Sequence, residues 1–389
     1  MSFPSPLSQP RPGTPGLVPP APASPAAIPV PPRSWHGGLI WIVGVLVVLL
    51  VLLVGYFLVF VGPTASLIGM VLALIPLTGV FIAVALVDRW EPEPRGLIAV
   101  ALAWGAVAAV ALTLLVDLVL VLVFRPPQTE AYEILSAVVQ APVVEEIMKG
   151  LGVLLIFVVA RRAFDGPVDG VVYGALVGAG FAFTENILYF AGSYIEGGVG
   201  QATVTFFVRG IMSPFAHVMF TAVTGFALGL AARRGASFGA ALGPWALGLV
   251  GAMALHALWN GSAVLGDFFL LYLTLQVPLF IGFILGIIAL RREEARLTSR
   301  RLGDYAAAGW FTTQEVDMLA TPAGRRAALA WARTLSGDRT PIMRGFIADA
   351  TALAMMRQRA LTGRDPRAAH DERAYLERAT AARAALFAP

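Results

Sequence analysis

Long apolar stretches, separated by short polar segments, dominate the hydrophobic pattern of the chain. Each stretch contains roughly twenty residues or more, enough for a helix to cross a ~30 Å hydrocarbon core. We therefore predict an all-α fold, a polytopic membrane helix bundle of about eight transmembrane helices. Two of the stretches are longer than a crossing requires, which predicts tilt or a kink. The predicted spans are 39–61, 65–87, 97–124, 131–160, 168–192, 204–232, 239–264 and 268–290.

The two flanking segments have a different pattern. Residues 1–38 hold twelve of the 27 prolines, and because such a segment cannot bury a core we predict a disordered, proline-rich cytosolic leader, not a signal peptide. Residues 291–389 carry 17 arginines against 11 acidic residues and show amphipathic helical periodicity. They are predicted to form a small, basic, helical cytosolic region, which leaves 39–290 as the transmembrane domain.

Composition and charge support a membrane protein. Hydrophobic residues make up 58% of the chain and charged residues 13%, against about 45–50% and about 25% in soluble domains. Arginines concentrate in alternate connections and only Arg125 lies in the opposite ones, so the positive-inside rule predicts a cell-membrane protein with both termini in the cytoplasm. The lack of cysteine excludes thiol chemistry. The net charge of +4 lies mostly in the tail and does not favour a nucleic-acid partner.

Charged residues within predicted spans are costly, about 2.5–3.5 kcal/mol each at a helix centre, and therefore mark candidate sites. The fourth span contains Glu145, Glu146 and Lys149. Glu145 and Lys149 are four apart and share a face, whereas the two glutamates are rotated by about 100°. We predict that Lys149 pairs with one glutamate and leaves the other free to act as base. The spacing favours Glu145 as the partner and Glu146 as the base, while Glu146, three residues before Lys149, competes for the pairing. A packing salt bridge is the alternative, and Pro142 predicts a kink just before the pair.

Three further spans carry polar groups at similar depth. The fifth contains Glu185 followed by Asn186, and the sixth contains His217. The seventh contains His256 and Asn260, whose i, i+4 spacing allows a ring nitrogen and an amide to reach one oxygen. A single membrane histidine is as often a packing residue, but two histidines with three glutamates predict a shared site.

Other conspicuous residues have simpler interpretations. Gly170, Gly174 and Gly178 recur at every fourth position, which is typical of closely packed helices rather than of chemistry. Asp117 in the third span has no motif around it and is a secondary candidate. His370, among acidic residues of the tail, is predicted to be a solvated surface histidine.

Carboxylates, imidazoles and amides without an obvious serine or cysteine nucleophile fit the activation of water. A glutamate would act as general base, a histidine would orient the water, and imidazole or amide donors would stabilise an oxyanion. This scheme needs no cofactor. A divalent metal such as zinc is the open alternative. Its predicted ligands are Glu146, Glu185, His217 and His256, although the chain lacks a His-Glu-x-x-His motif and the doublet does not point both carboxylates one way.

Four motifs occur in order over about residues 65–290: Glu145-Glu146-x-x-Lys149, Phe181-x-x-x-Glu185-Asn186, His217 leading into Gly225, and His256-x-x-x-Asn260. Together they resemble the PrsW family of intramembrane proteases, which is distantly similar to the CAAX-processing and bacteriocin-immunity membrane proteases. The resemblance implies cleavage of a membrane-anchored substrate, an anti-sigma factor in the best-known members, with the paired glutamates and a histidine essential.

The chain departs from the CAAX-type relatives at two of these positions. They carry histidine where this chain has Glu185, and a more distant arginine where it has Lys149, so their detailed roles are not transferred. Two other functions remain open: a proton- or ion-coupled transporter, the commonest setting for mid-membrane carboxylates, and a non-catalytic scaffold that binds partner helices through the same polar core. The expected partners are a membrane-anchored protein substrate and the lipid bilayer.

Overall fold

The computed structural model describes residues 36–161, 163–264, 266–361 and 367–387, and every regular element within them is a helix. Residues 1–35, most of the predicted leader, lie outside the described residues. The chain divides into two compact units, and the boundary along the sequence falls between residues 287 and 288. The helices that begin in the first unit are α1 (His36–Tyr56), α2 (Pro63–Val87), α3 (Arg95–Ala103), α4 (Val110–Phe124), α5 (Glu130–Leu135), α6 (Ala141–Val159), α7 (Pro167–Phe206), α8 (Ala216–Arg233), α9 (Phe238–Val264), α10 (Phe268–Leu271) and α11 (Val277–Ala307).

The all-α membrane architecture is confirmed. Among the described residues, six helical runs are long and apolar enough, by length and composition, to cross a membrane. One of them, Pro167–Arg233, has 67 residues and leaves helical geometry at Gly197 and Gly198. The helical run from Glu130 to Val159 is also long enough to cross a membrane, but it carries the charged residues of the fourth predicted span. The count of eight crossings stays a prediction.

Wide turns of π-helix precede several of the prolines in these helices. Proline lacks the N–H that an α-helix needs and clashes with the preceding turn, and a π-helical turn accommodates the break. The irregularity predicted next to Pro142 takes this form. Four π-helical segments each end two residues before a proline: Phe57–Val61, Ser136–Gln140, Phe207–Met212 and Tyr272–Gln276.

The glycine stripe of α7 packs directly on the backbone of α8. A Cβ placed at Gly170 would lie 2.0 Å from the carbonyl oxygen of Gly225, and one at Gly178 would lie 2.3 Å from that of His217. Such distances are far inside van der Waals contact, so only glycine allows the two helices to approach this closely. The packing role predicted for the stripe is confirmed, and the contact fixes the height of His217 against α7.

Residues 288–389 form a helical unit with its own apolar core. Tyr305, Leu319, Phe346 and Leu353 are fully buried there or nearly so. His370 is exposed, as predicted. The helical character predicted for the tail is therefore present, while its cytosolic location stays a prediction. Beyond α11, its helices are α12 (Thr313–Ala320), α13 (Pro322–Thr334), α14 (Thr340–Leu361) and α15 (Ala368–Leu386).

Candidate functional site in the helix bundle

Four helices of the first unit bring most of the predicted polar residues into one buried group. Lys149 and Glu146 have no exposed surface, and the two histidines are buried as well. So many ionisable groups among apolar helices are tolerated only because they satisfy one another. We call this group the central cluster, and it consists of Glu145, Glu146 and Lys149 on α6, Glu185 on α7, His217 on α8 and His256 on α9.

The ammonium group of Lys149 lies at the middle of the central cluster. Its Nζ is 2.6 Å from Glu146 Oε1, 3.2 Å from Glu145 Oε2 and 3.0 Å from His217 Nδ1. It also lies 4.0 Å from the centre of the Phe181 ring. The predicted pairing with Glu145 alone is therefore wrong. The flexible four-carbon side chain of Lys149 carries its three N–H donors to a position between the two faces of α6 on which Glu145 and Glu146 lie, so that it contacts both carboxylates.

Glu146, predicted to be the free base, is the most fully engaged carboxylate of the cluster. Besides Lys149, its Oε1 lies 3.0 Å from His256 Nδ1, and its Oε2 accepts a hydrogen bond from the Thr221 hydroxyl at 3.2 Å. Glu145 makes fewer contacts and keeps 7% of its surface exposed. The carboxylate with room for a further partner is therefore Glu145.

Glu185 supports His217 from the side opposite to Lys149. Its Oε2 lies 3.0 Å from His217 Nε2 and is also ion-paired with Arg209. The Arg209 side chain donates from Nε to the side-chain amide oxygen Oδ1 of Asn186 at 2.9 Å, and its guanidinium lies 3.7 Å from the centre of the Tyr189 ring. Arg209 was not among the predicted site residues, although a guanidinium within an apolar span is itself a signal.

The hydrogen-bond partners set the tautomer of both imidazoles. An ammonium only donates, so His217 Nδ1 accepts from Lys149 and its Nε2–H donates to Glu185. A carboxylate only accepts, so His256 Nδ1–H donates to Glu146. The ring nitrogens that carry a lone pair are consequently His217 Nδ1 and His256 Nε2.

Both histidines also lie close to the carboxylate of Glu145. His256 Nε2 lies 3.9 Å from Glu145 Oε2, and one ligand atom each from Glu145, His217 and His256 falls within 4.8 Å of the others. Two histidines and one glutamate form a donor set that is known from catalytic zinc sites. Metal-binding histidines usually donate their other N–H to a carboxylate, as both do here. Glu146 and Glu185, which were predicted as metal ligands, instead accept the N–H of His256 and of His217 on the other side of each ring.

Two predicted residues lie away from this donor set. Asn260 donates from Nδ2 to the carbonyl oxygen of Ala137 at 2.9 Å, so it does not share an oxygen with His256. It satisfies a carbonyl in the π-helical turn before Pro142 instead. Asp117 accepts a hydrogen bond from Gln140 at 3.1 Å and is outside the central cluster.

A second group of acids, two buried and one half-buried, lies with a tyrosine where α7 begins. We call Asp88, Glu93, Asp169 and Tyr173 the carboxyl cluster. The Tyr173 hydroxyl donates to Glu93, the Glu93 N–H donates to Asp88 at 3.1 Å, and the Gly166 N–H donates to Asp169 at 2.8 Å. Burial raises the pKa of Glu93 to about 10, with Asp169 adding to the shift, and raises that of Asp88 to about 6. No motif along the chain predicted this cluster.

Residues 93–283 match the model of a family described as PrsW family intramembrane metalloprotease. "Protease PrsW" of Geobacillus kaustophilus is 35% identical over 96 residues, which are 25% of this chain and 39% of the relative. "Protease PrsW" of Bacillus subtilis is 39% identical over 87 residues, 22% of this chain and 36% of the relative. The chain thus spans about two fifths of the length of these curated relatives. No solved structure matches it at a significant level.

Proposed function

The chain belongs to the PrsW family through residues 93–283, and from that premise we propose that it is an intramembrane protease that hydrolyses a peptide bond of a membrane-anchored protein. One observation carries the proposal: Glu145, His217 and His256 come together with one possible ligand atom of each within 4.8 Å of the others, and each imidazole also contacts a second glutamate. Apolar helices enclose this group. Such an arrangement fits the activation of a water molecule for hydrolysis.

The donor chemistry fits a divalent metal such as zinc, which Glu145, His217 and His256 would hold. A metal there would supply Lewis-acid activation of the attacking water. Glu146 and Glu185 keep each imidazole in the required tautomer and orientation, because each accepts the ring N–H on the far side. Phe220 stacks on His256 with 4.9 Å between ring centres and helps to exclude bulk water.

A metal-free scheme is the second mechanism. In it Glu145 is the general base, because Glu146 is saturated by its contacts and Glu185 is ion-paired with Arg209. His256 Nε2 would then orient the water beside Glu145, from which it is 3.9 Å away. Loss of activity on chelation, and its return with added zinc, would support the metal scheme. Activity that withstands complete removal of metal would support the metal-free one.

The substrate class is proposed from the setting of the site. A cluster enclosed by apolar helices supports a membrane-anchored substrate, and the resemblance of the motifs favours an anti-sigma-factor-like or other single-span protein. The arginine pattern of the connections supports a cell-membrane protein that has both termini in the cytoplasm.

The test co-expresses the full chain with a tagged single-span candidate substrate and follows its cleavage. Glu145→Ala, Glu146→Ala and His256→Ala are each expected to abolish the cleavage product at equal protein levels. Undiminished cleavage in all three would refute the proposal. Ion or proton uptake by proteoliposomes that contain the purified chain, lost in Glu145→Ala, would favour the transporter instead.

A further inference from the structure

Lys149 is the only lysine of the chain, and it has no exposed surface. Its ammonium contacts two of the three candidate metal ligands: it lies 3.2 Å from Glu145 Oε2 and 3.0 Å from His217 Nδ1. We propose that the Lys149 ammonium occupies the candidate metal site of Glu145, His217 and His256 in the metal-free protein. A divalent metal then binds there only by displacing this ammonium from Glu145 and His217. The inference rests on the metal scheme of the proposed function.

Mutual exclusion follows from the chemistry of the imidazole. A ring nitrogen without a proton has a single lone pair, which accepts one hydrogen bond or binds one metal ion. The lone pair of His217 Nδ1 accepts a hydrogen bond from Lys149, and the Nε2–H of the same ring donates to Glu185. A metal at about 2.0–2.1 Å from Nδ1 would have to take the position along which the ammonium now donates.

The displaced ammonium has a place to stay. Its shortest contact, 2.6 Å to Glu146 Oε1, involves neither Glu145 nor His217, and the Phe181 ring face lies 4.0 Å away. A small rotation of the lysine side chain that keeps both partners would release the two donors. The exchange needs no exposure of the charge to lipid, which would be expensive.

The charge balance of the site also favours a second cation. Glu145, Glu146 and Glu185 supply three carboxylates, whereas Lys149 and Arg209 supply two permanent cations in contact with them. One negative charge remains within a buried site. Because opposite charges attract more strongly where water is excluded, this surplus favours entry of a divalent ion while Lys149 keeps its charge and swings aside.

The first experiment uses the unaltered chain. Lysine labelled with ¹³C and ¹⁵N gives a single side-chain set of NMR signals, because there is one lysine. On titration of the detergent-solubilised full chain with Zn²⁺ alone, we expect the Lys149 signal to shift and saturate at one equivalent. His256→Ala removes a donor that Lys149 does not contact, so its lysine signal should stay in place. Zinc bound at one equivalent with an unmoved Lys149 signal in the unaltered chain would overturn the inference.

The second experiment changes the charge. Lys149→Met should bind Zn²⁺ about tenfold or more tightly than the unaltered chain, because a repelling charge a few ångströms from the metal is gone. Zinc should also raise its Tm more, since the metal replaces the missing counter-charge. Lys149→Arg, which keeps the charge, should show neither gain. An affinity of Lys149→Met equal to or below that of the unaltered chain would overturn the inference.

Zinc binding is measured without substrate, which separates this inference from the proposed function. Zinc that displaces the Lys149 signal in a chain that cleaves no substrate would support the inference and contradict the protease. Cleavage that depends on zinc, together with an unmoved lysine signal, would do the reverse. A Lys149→Met chain that folds only when zinc is present during purification would support the inference, and one that unfolds equally with and without zinc would contradict it.

Discussion

Two groups of buried acids lie in the same helix bundle, and α7 contributes to both. In the central cluster the carboxylates are in contact with an ammonium, a guanidinium and two imidazoles. In the carboxyl cluster Glu93 and Asp169 are instead satisfied by the Tyr173 hydroxyl and by backbone N–H groups. Burial is similar in the two places, and the partners differ.

The partners determine what the acids do. A carboxylate beside exchangeable cations and imidazole lone pairs can bind a metal or take a proton from water. A carboxyl whose pKa burial raises to about 10, as for Glu93, is protonated near pH 7 and ties a loop to a helix by hydrogen bonds. A buried acid alone is thus weak evidence for catalysis, and four predictions test whether the distinction holds.

The largest effect should come from the same isosteric change made once in each cluster. Glu145→Gln removes a negative charge at the candidate metal site and should lower the cleavage rate by ~10²–10⁴-fold. Glu93→Gln replaces a protonated carboxyl by a neutral amide of the same shape and should change the rate by less than about twofold. Initial rates against one single-span substrate measure both. Equal losses in the two variants would break the comparison between the clusters.

The next effect tests whether the fit of α7 against α8 holds the central cluster together. Gly178→Ala places a Cβ 2.3 Å from the carbonyl oxygen of His217, so α8 must move. We expect a destabilisation of about 1–3 kcal/mol, seen as a lower Tm, together with a strongly reduced cleavage rate. Gly192→Ala, in the same helix with nothing within 4 Å of its Cβ, is the matched control. Indistinguishable behaviour of the two alanine variants would contradict the packing argument.

A smaller effect is expected where a positioning residue is altered. Arg209→Lys keeps the charge but loses the planar fork that reaches both Glu185 and Asn186. The orientation of His217 should then be less well fixed, and kcat should fall by about tenfold with little change in KM. Arg234→Lys, at an exposed arginine of the same bundle, should leave both constants unchanged. A change confined to KM would show that Arg209 contacts the substrate instead.

The smallest effect is a pH dependence of stability in the carboxyl cluster. The pKa of Glu93 rises from 4.5 to about 10 on folding, so between these values the unfolded chain has lost a proton that the folded chain keeps. Stability should therefore fall as pH rises through this window. Glu93→Gln removes that dependence, and its advantage should grow by about 1.4 kcal/mol from pH 6 to pH 7, measured as Tm. Parallel Tm curves for the two proteins would contradict the assignment.

The sequence alone predicted the helices and the members of the central cluster, because charged residues within apolar spans stand out against their surroundings. It did not predict how they pair. The i, i+4 rule assigned Lys149 to Glu145, but that rule describes an isolated helix. His217 and Phe181 come from other helices, and their contacts determine where the ammonium lies.

The remaining errors have equally local causes. Asn260 bonds to Ala137 because a π-helical turn leaves that carbonyl available, and the hydrophobic pattern does not reveal such turns. Glu93 lies in a connection between predicted spans, where an acidic residue is unremarkable until Tyr173 buries it. Patterns along the chain thus identify costly residues, while the partners that satisfy them come from tertiary packing.

Because the single lysine is fully buried, its rate of chemical modification reports how often the helix bundle opens. An amine-acylating reagent can modify the Lys149 side chain only when α6 separates from its neighbours, since its ε-amino group is fully enclosed. In the limit of fast reclosing, the modification rate divided by that of an exposed amine gives the population of the open state, and hence the free energy of opening. A substrate helix that entered between the helices would increase the modification rate of Lys149. Mass spectrometry would detect the modification as a mass increase of the one peptide that contains this lysine.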